Sequence, residues 1–131
     1  MDNGLMPLDW SSGALAEGLD CYRSSRFFDA HEHWEGVWLA SREPEKTFLQ
    51  AIIQVAAAFH HLQKGNRAGA ASLLGRALSR LEGYPDEFGG VEVRHLRAEL
   101  KAWVSALCPG RELDVLPPYP DLVTRDGFRD C

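Results

Sequence analysis

Long apolar runs, paired cysteines and positive charge are scarce in this sequence, and each shortage removes a class of function. The longest apolar stretch, Ala51 to Phe59, is interrupted by Gln54 and is about half of what a helix needs to cross a bilayer. No membrane span is expected. Three cysteines, Cys21, Cys108 and Cys131, are odd in number and show no CxxC spacing. That pattern fits reduced thiols and argues against a disulfide framework or a zinc knuckle. Lys and Arg total 14 against 19 Asp and Glu, a net charge of -5, which is the wrong sign for a broad polyanion-binding surface. Nucleic acid and anionic membrane are therefore not expected partners. The opening MDNGLMPLDW has no basic segment followed by an apolar one, so it does not read as a secretory signal, and the expected compartment is the cytoplasm. Also missing are a GxxxxGK[ST] loop, a GxGxxG turn after a strand and a defensible Ser-His-Asp order, so phosphate-loop, dinucleotide and triad chemistry are not expected.

What remains is a chain of 131 residues, 45% of them hydrophobic, enough to pack one core and too apolar for intrinsic disorder. A single domain over residues 1–131 is expected. Three- to four-residue apolar spacing recurs and sustained strand-like alternation does not, so the expected fold is all-α: one compact bundle of about five helices. A first helix is read from Ser12 to Ser24, and a second from Phe27 to Ser41 with Ser24 or Ser25 as its cap. Glu43-Pro44 breaks the chain before a third helix, Glu45 to Lys64, which has little polar face and must be central. Gly65 suits a left-handed stop and Asn66 the next cap, opening a fourth helix from Arg67 to Leu81. A fifth is read from Val91 to Leu107, ended by Pro109-Gly110. The Pro-rich tail 111–131 is expected to be irregular and to lie along the bundle through Leu113, Leu116, Tyr119 and Leu122.

A few polar side chains fall on apolar faces. At 100° per residue, Phe27, Phe28, His31, Glu35 and Trp38 share one face of the second helix, with Trp34 beside it, Glu32 at its boundary and His33 toward solvent. His31 and Glu35 are thus expected to point inward. On the third helix Gln50, Gln54, Ala57 and His61 form another stripe. An antiparallel hairpin over the short Ser41 to Pro44 connection sets Glu35 level with Gln50 and His31 level with Gln54 or Ala57. His61 lies a further turn out, near Phe27. A buried carboxylate must be neutralised, hydrogen-bonded or bound to a cation, so convergence of these groups would mark a site.

The strings FDAHEHWEGVW and FLQAIIQVAAAFHHLQKGNRAGA resemble the DUF309 family of small helical proteins, whose hallmark is His-x-x-x-Glu-x-x-(Trp/Tyr). Here that motif is His31, Glu35 and Trp38, and the similarity runs from about Phe27 to Leu81. Ala51 departs from the glycine usual after the glutamine. The resemblance implies a helical fold and suggests metal binding through the motif, without a settled activity.

Two site readings follow. In the first, His31 and Glu35 from adjacent turns, with His61 from the next helix, hold a divalent metal of unspecified identity and leave positions for water, so that hydrolysis is open. Glu32, Gln50, Gln54 and Trp38 would support those ligands. HEHWE is not the metalloprotease HExxH, because position 35 is Glu. In the second, the His/Glu/Gln cluster is a closed hydrogen-bond network fixing helix register in a non-catalytic interaction module or homodimer. A pocket for an unnamed small molecule, with the same groups as polar anchors, is a third option. Other polar groups have plainer roles. His60 is expected at a boundary, His95 toward solvent or locally bonded, Trp34, Trp38 and Trp103 in the core, and Arg76, Arg80, Arg94 and Arg97 on solvated faces.

Overall fold

The computed structural model describes residues 8–108 and 116–122. Five helices follow in order: α1 Gly13–Arg23, α2 Phe27–Ala40, α3 Glu45–Gln63, α4 Arg67–Leu81 and α5 Val93–Ala106, with a two-residue hairpin of β1 Glu87–Phe88 and β2 Val91–Glu92 before α5. Short connections make successive helices neighbours, and α1 packs on α2, α2 on α3, α3 on α4 and α4 on α5. The expected all-α bundle is what forms. Among the described residues no helix is long and apolar enough to cross a membrane.

The α3 helix is central because it is apolar almost all round: Phe48, Leu49, Ala51, Ile52, Val55, Ala56, Ala58 and Phe59 are fully buried. Its remaining stripe, Gln50, Ile53, Gln54, Ala57 and His61, is only half-buried. The helix stops where Gly65 takes a left-handed φ of 84°, and α4 begins at once because the Asn66 side chain accepts from the Gly69 amide at 2.9 Å.

The α2 helix presents a different face from the one its periodicity suggested. Its buried residues are Phe27, Ala30 and Trp34, whereas Phe28 is 48% exposed and Glu35 lies on the surface. Trp34 is the anchor: its indole is fully buried, donates to the Leu15 carbonyl at 3.2 Å and meets Trp10 edge-on at 5.9 Å. Gly18 of α1 makes this approach feasible, since a Cβ there would overlap the Trp34 ring. Neither Ser24 nor Ser25 caps α2. The N-cap is Arg26, with no side-chain hydrogen bond, and Ser25 itself takes a left-handed φ of 63° in the turn.

The fifth helix starts two residues later than expected because Val91–Glu92 pairs antiparallel with Glu87–Phe88. Gly89 and Gly90, at φ 59° and 82°, form the two-residue turn that such a hairpin requires. Arg97 is not a solvated arginine. It donates to Asp86 at 2.7 Å, to the Tyr84 carbonyl at 3.0 Å and to the Leu81 carbonyl at 3.3 Å, tying the α4–α5 connection down.

Residues 116–122 have no helix or strand and pack against the bundle. Leu122 is fully buried, the Tyr22 hydroxyl donates to the Pro120 carbonyl, Trp103 donates to Pro118 at 2.9 Å, and Arg23 pairs with Asp121 at 3.0 Å. Leu113, Pro109-Gly110, Cys131 and the rest of 111–131 lie outside the described residues. Cys21 is buried and Cys108 exposed, both as free thiols.

Candidate functional site

Where the half-buried stripes of α2 and α3 face each other, the two helices leave a slot of about 230 Å³ lined by His31, Glu35, Trp38, Gln50, Ile53, Gln54 and Ala57. The antiparallel arrangement explains the roster. His31, Glu35 and Trp38 climb one side of α2 over two turns, while Gln50, Gln54 and Ala57 descend α3 opposite them. Five of the seven sequence-derived site residues are therefore brought together: His31, Glu35, Trp38, Gln50 and Gln54. Glu32 is exposed on α2 and does not line the slot.

His61 does not line it either. The last turn of α3 lies against the start of α2, where His60 meets Phe28 at 5.2 Å and Gln63 donates to the Ser25 carbonyl at 3.0 Å. The His61 ring lies beside His60 at 6.2 Å, and its Nδ1 is 3.2 Å from Asn66 Nδ2. Because the Asn66 oxygen is occupied by the Gly69 amide, Asn66 presents its NH₂ as donor, and His61 Nδ1 is the acceptor. Among the described residues no group of three or more His, Cys, Asp or Glu is placed to hold a metal ion. Of the His31–Glu35–His61 ligand set expected from the sequence, His31 and Glu35 line the slot and His61 does not.

Nor do these groups close into a network. Among the described residues, the one side-chain hydrogen bond to a slot residue comes from Arg80, whose Nε donates to Gln54 Oε1 at 3.2 Å. His31 Nδ1 and Trp38 Nε1 are shielded from solvent and have no hydrogen-bond partner. Both belong to walls of the same slot. Glu35 is at its edge, exposed rather than buried, so the expected cost of a buried carboxylate does not arise.

Aromatic and cationic neighbours hold the walls. The Phe28 ring stacks on His31 at 5.8 Å, with 27° between planes, and touches His60 at 5.2 Å. Lys46 on α3 places its Nζ 4.9 Å from the centre of the Trp38 ring. Burial first, then the positive charges of Lys64, His61 and His31, hold the His60 imidazole below its ordinary value. Away from the slot, His33 pairs with Glu17 at 3.5 Å and His95 with Glu99 at 3.7 Å, both on the surface. Sequence reasoning missed Ile53 as a lining residue and the supporting parts of Phe28, Lys46 and Arg80. Ile53 and Phe28 had signals in their helical spacing from Gln50 and His31. Arg80, on another helix and 26 residues from Gln54, had none.

The family model of DUF309, a domain of unknown function, matches residues 15–73, a span that runs from α1 into α4. An uncharacterized protein of Aquifex aeolicus (strain VF5) is 30% identical over 98 residues, covering 74% of this chain and 29% of that protein. The chain thus spans under a third of the length of the curated relative it matches. Residues 15–73, the segment that supplies every side chain lining the slot, are the part of this chain that matches the DUF309 family.

Proposed function

We propose that the slot between α2 and α3 is a binding site for a small organic molecule, and that binding it is what the DUF309-like half of this chain does. One observation carries the reading: a slot of about 230 Å³ between two helices is lined by the polar side chains of His31, Glu35, Gln50 and Gln54 together with Trp38, Ile53 and Ala57. Buried polar groups in folded proteins are paired as a rule, because an orphan costs about 1–3 kcal/mol. His31 Nδ1 and Trp38 Nε1 are two such orphans, and both belong to side chains that line the slot, so the slot's walls are held in a costly arrangement. A concave site with an apolar floor, here Ile53 and Ala57, and a few convergent polar groups is the usual form of a small-ligand pocket. The same slot residues carry a single side-chain hydrogen bond among the described residues, from Arg80 to Gln54, which leaves their other polar groups open to a ligand.

The test is a fragment screen by NMR on ¹⁵N-labelled full chain, with Ala57→Phe as control, since a phenyl group there would fill the slot. Chemically diverse fragments should perturb the Trp38 indole and Gln54 amide resonances in the native protein and leave them still in Ala57→Phe. If no fragment perturbs these resonances, or if the folded Ala57→Phe protein responds equally, the slot is not a binding site.

A further inference from the structure

We propose that this chain forms a symmetric homodimer through the open face of α2, α3 and α4, with the α2 helix of each copy lying on α4 of the other. The face is a layer of three helices. Lys46 meets the Trp38 ring at 4.9 Å and His60 meets Phe28 at 5.2 Å, which fixes α2 on one flank of α3. Arg80 reaches Gln54 at 3.2 Å and Asn66 reaches His61 at 3.2 Å, which fixes α4 on the other. The half-buried stripe of α3 lies between them. Phe28, Glu32, Glu35 and Leu39 form an outward stripe on α2 at spacings of four, three and four, and all are exposed. The α4 helix repeats those spacings in Gly69, Leu73, Arg76 and Arg80, none of them buried. A repeat of about 3.5 residues is the spacing at which one helix lays a seam along another. Apolar exposure gathers here as well: Phe28 and Leu39, the latter 65% exposed, are two of the three exposed large hydrophobic side chains among the described residues.

Charge chooses the partner. The α2 helix carries Asp29, Glu32 and Glu35 and no Lys or Arg, while α4 carries Arg67, Arg76 and Arg80 and no Asp or Glu. Asp29 is answered by Arg26 at 3.6 Å. Among the described residues Glu32, Glu35 and Arg76 are in no ion pair or side-chain hydrogen bond, and the Arg80 guanidinium uses only its Nε, on Gln54. A wholly acidic partner would meet Glu32 and Glu35, and a wholly basic one would meet Arg76 and Arg80. A surface with acid along one flank and base along the other answers both, and this face is itself such a surface. Like charges brought together across a contact are strongly disfavoured, which selects the axis. A two-fold axis across the helices lays α2 on the partner's α2, acid on acid. An axis parallel to α3 lays α2 on the partner's α4 and keeps each residue at its own level along the bundle. Counted from the four inter-helix contacts above, Glu35 is level with Arg80, Glu32 with Arg76 and Phe28 with Leu73. Two ion pairs and one apolar contact therefore form, each twice by symmetry. The slot opens on this face and is enclosed by the dimer, but the dimer follows from the stripes and their charges, whatever the slot holds.

Sedimentation equilibrium of the full chain over a dilution series in low salt should give a dimer, and raising the salt should weaken it, because exposed ion pairs are screened. Glu32→Arg and Arg76→Glu test the pairing. Both residues are exposed and neither lines the slot, so both variants fold, which circular dichroism checks. Each alone brings like charges together and should raise the dissociation constant at least tenfold. An equimolar mixture of the two should recover the native affinity, since both contacts of the mixed dimer then join opposite charges. A native chain that stays monomeric throughout the series overturns the proposal. So does a dimer that either variant leaves unweakened, which would place the contact on another face, or a mixture that fails to recover. The fragment screen, run on the Glu32→Arg protein, decides the slot separately, because that variant keeps every residue lining it.

Discussion

Replacing His31 by Phe separates a group held for a ligand from one held for the fold. Phenylalanine keeps a ring of similar size, keeps the stacking on Phe28, and removes the shielded Nδ1 that has no partner. An unsatisfied buried polar atom costs about 1–3 kcal/mol. His31 is half-buried, and only one of its two nitrogens is an orphan, so the lower end applies: a gain of about 1 kcal/mol for His31→Phe. His31 is half-buried and lines a slot of about 230 Å³, so the slightly larger ring does not meet the overpacking penalty of a filled core. For a chain of this size 1 kcal/mol corresponds to roughly 3 °C in melting midpoint. Urea unfolding followed by circular dichroism, at an unchanged m-value, reads the free energy directly. The same variant should lose binding of whatever the slot holds, the usual exchange of stability for function at a site kept unsatisfied. A loss of 1 kcal/mol or more, in place of the gain, would mean that Nδ1 has a structural partner in solution, and the ligand argument would fail with it.

Three further outcomes follow from the geometry. Gly18→Ala forces a methyl group into the fully buried Trp34 ring and endangers the indole bond to Leu15. Overpacking of about 1–3 kcal/mol and an orphaned donor of similar cost outweigh about 1 kcal/mol of helix propensity, so a drop in midpoint of several degrees is expected, and an unchanged one would refute the packing of α1 on α2. His60 is held below its ordinary value in the folded chain by burial, then by Lys64, His61 and His31, so the unfolded chain binds the proton more readily. Stability should therefore fall as pH drops below about 6.5, the unfolded value. His60→Gln should flatten that part of a midpoint-against-pH curve, and an unaltered slope would count against the assignment. Chelator-treated protein should melt at the same temperature when zinc, manganese or magnesium is added, since no three-ligand cluster is present among the described residues. A rise abolished by His31→Ala would restore a metal site.

Local chemistry made much of the architecture legible. The fourth helix begins and ends where the sequence places it, because Gly65 and Asn66 have conformational and capping preferences that no packing need override. The centrality of α3 was equally plain, since a helix with so little polar surface has nowhere else to go. The face of α2 was not legible. Phe27, Phe28, Ala30, Trp34, Val37, Trp38 and Leu39 spread apolar surface around more than half of that helix, and periodicity cannot choose among overlapping arcs. The choice was made by α1, where Gly18 admits the Trp34 ring and thereby turns Phe28 and Glu35 outward.

The site divides in the same way. Spacing of three, four and seven residues is a property of the helix, so the alignment of His31, Glu35 and Trp38, and of Gln50, Gln54 and Ala57, was already set in the order of the amino acids. How far two helices overlap is a property of the assembled bundle. That assembly leaves His61 off the slot, leaves His31 and Trp38 with unpaired nitrogens, and brings Arg80 from a distant stretch of chain to Gln54. Side-chain direction along one helix follows from backbone geometry alone, while partners across helices depend on where packing brings each element to rest.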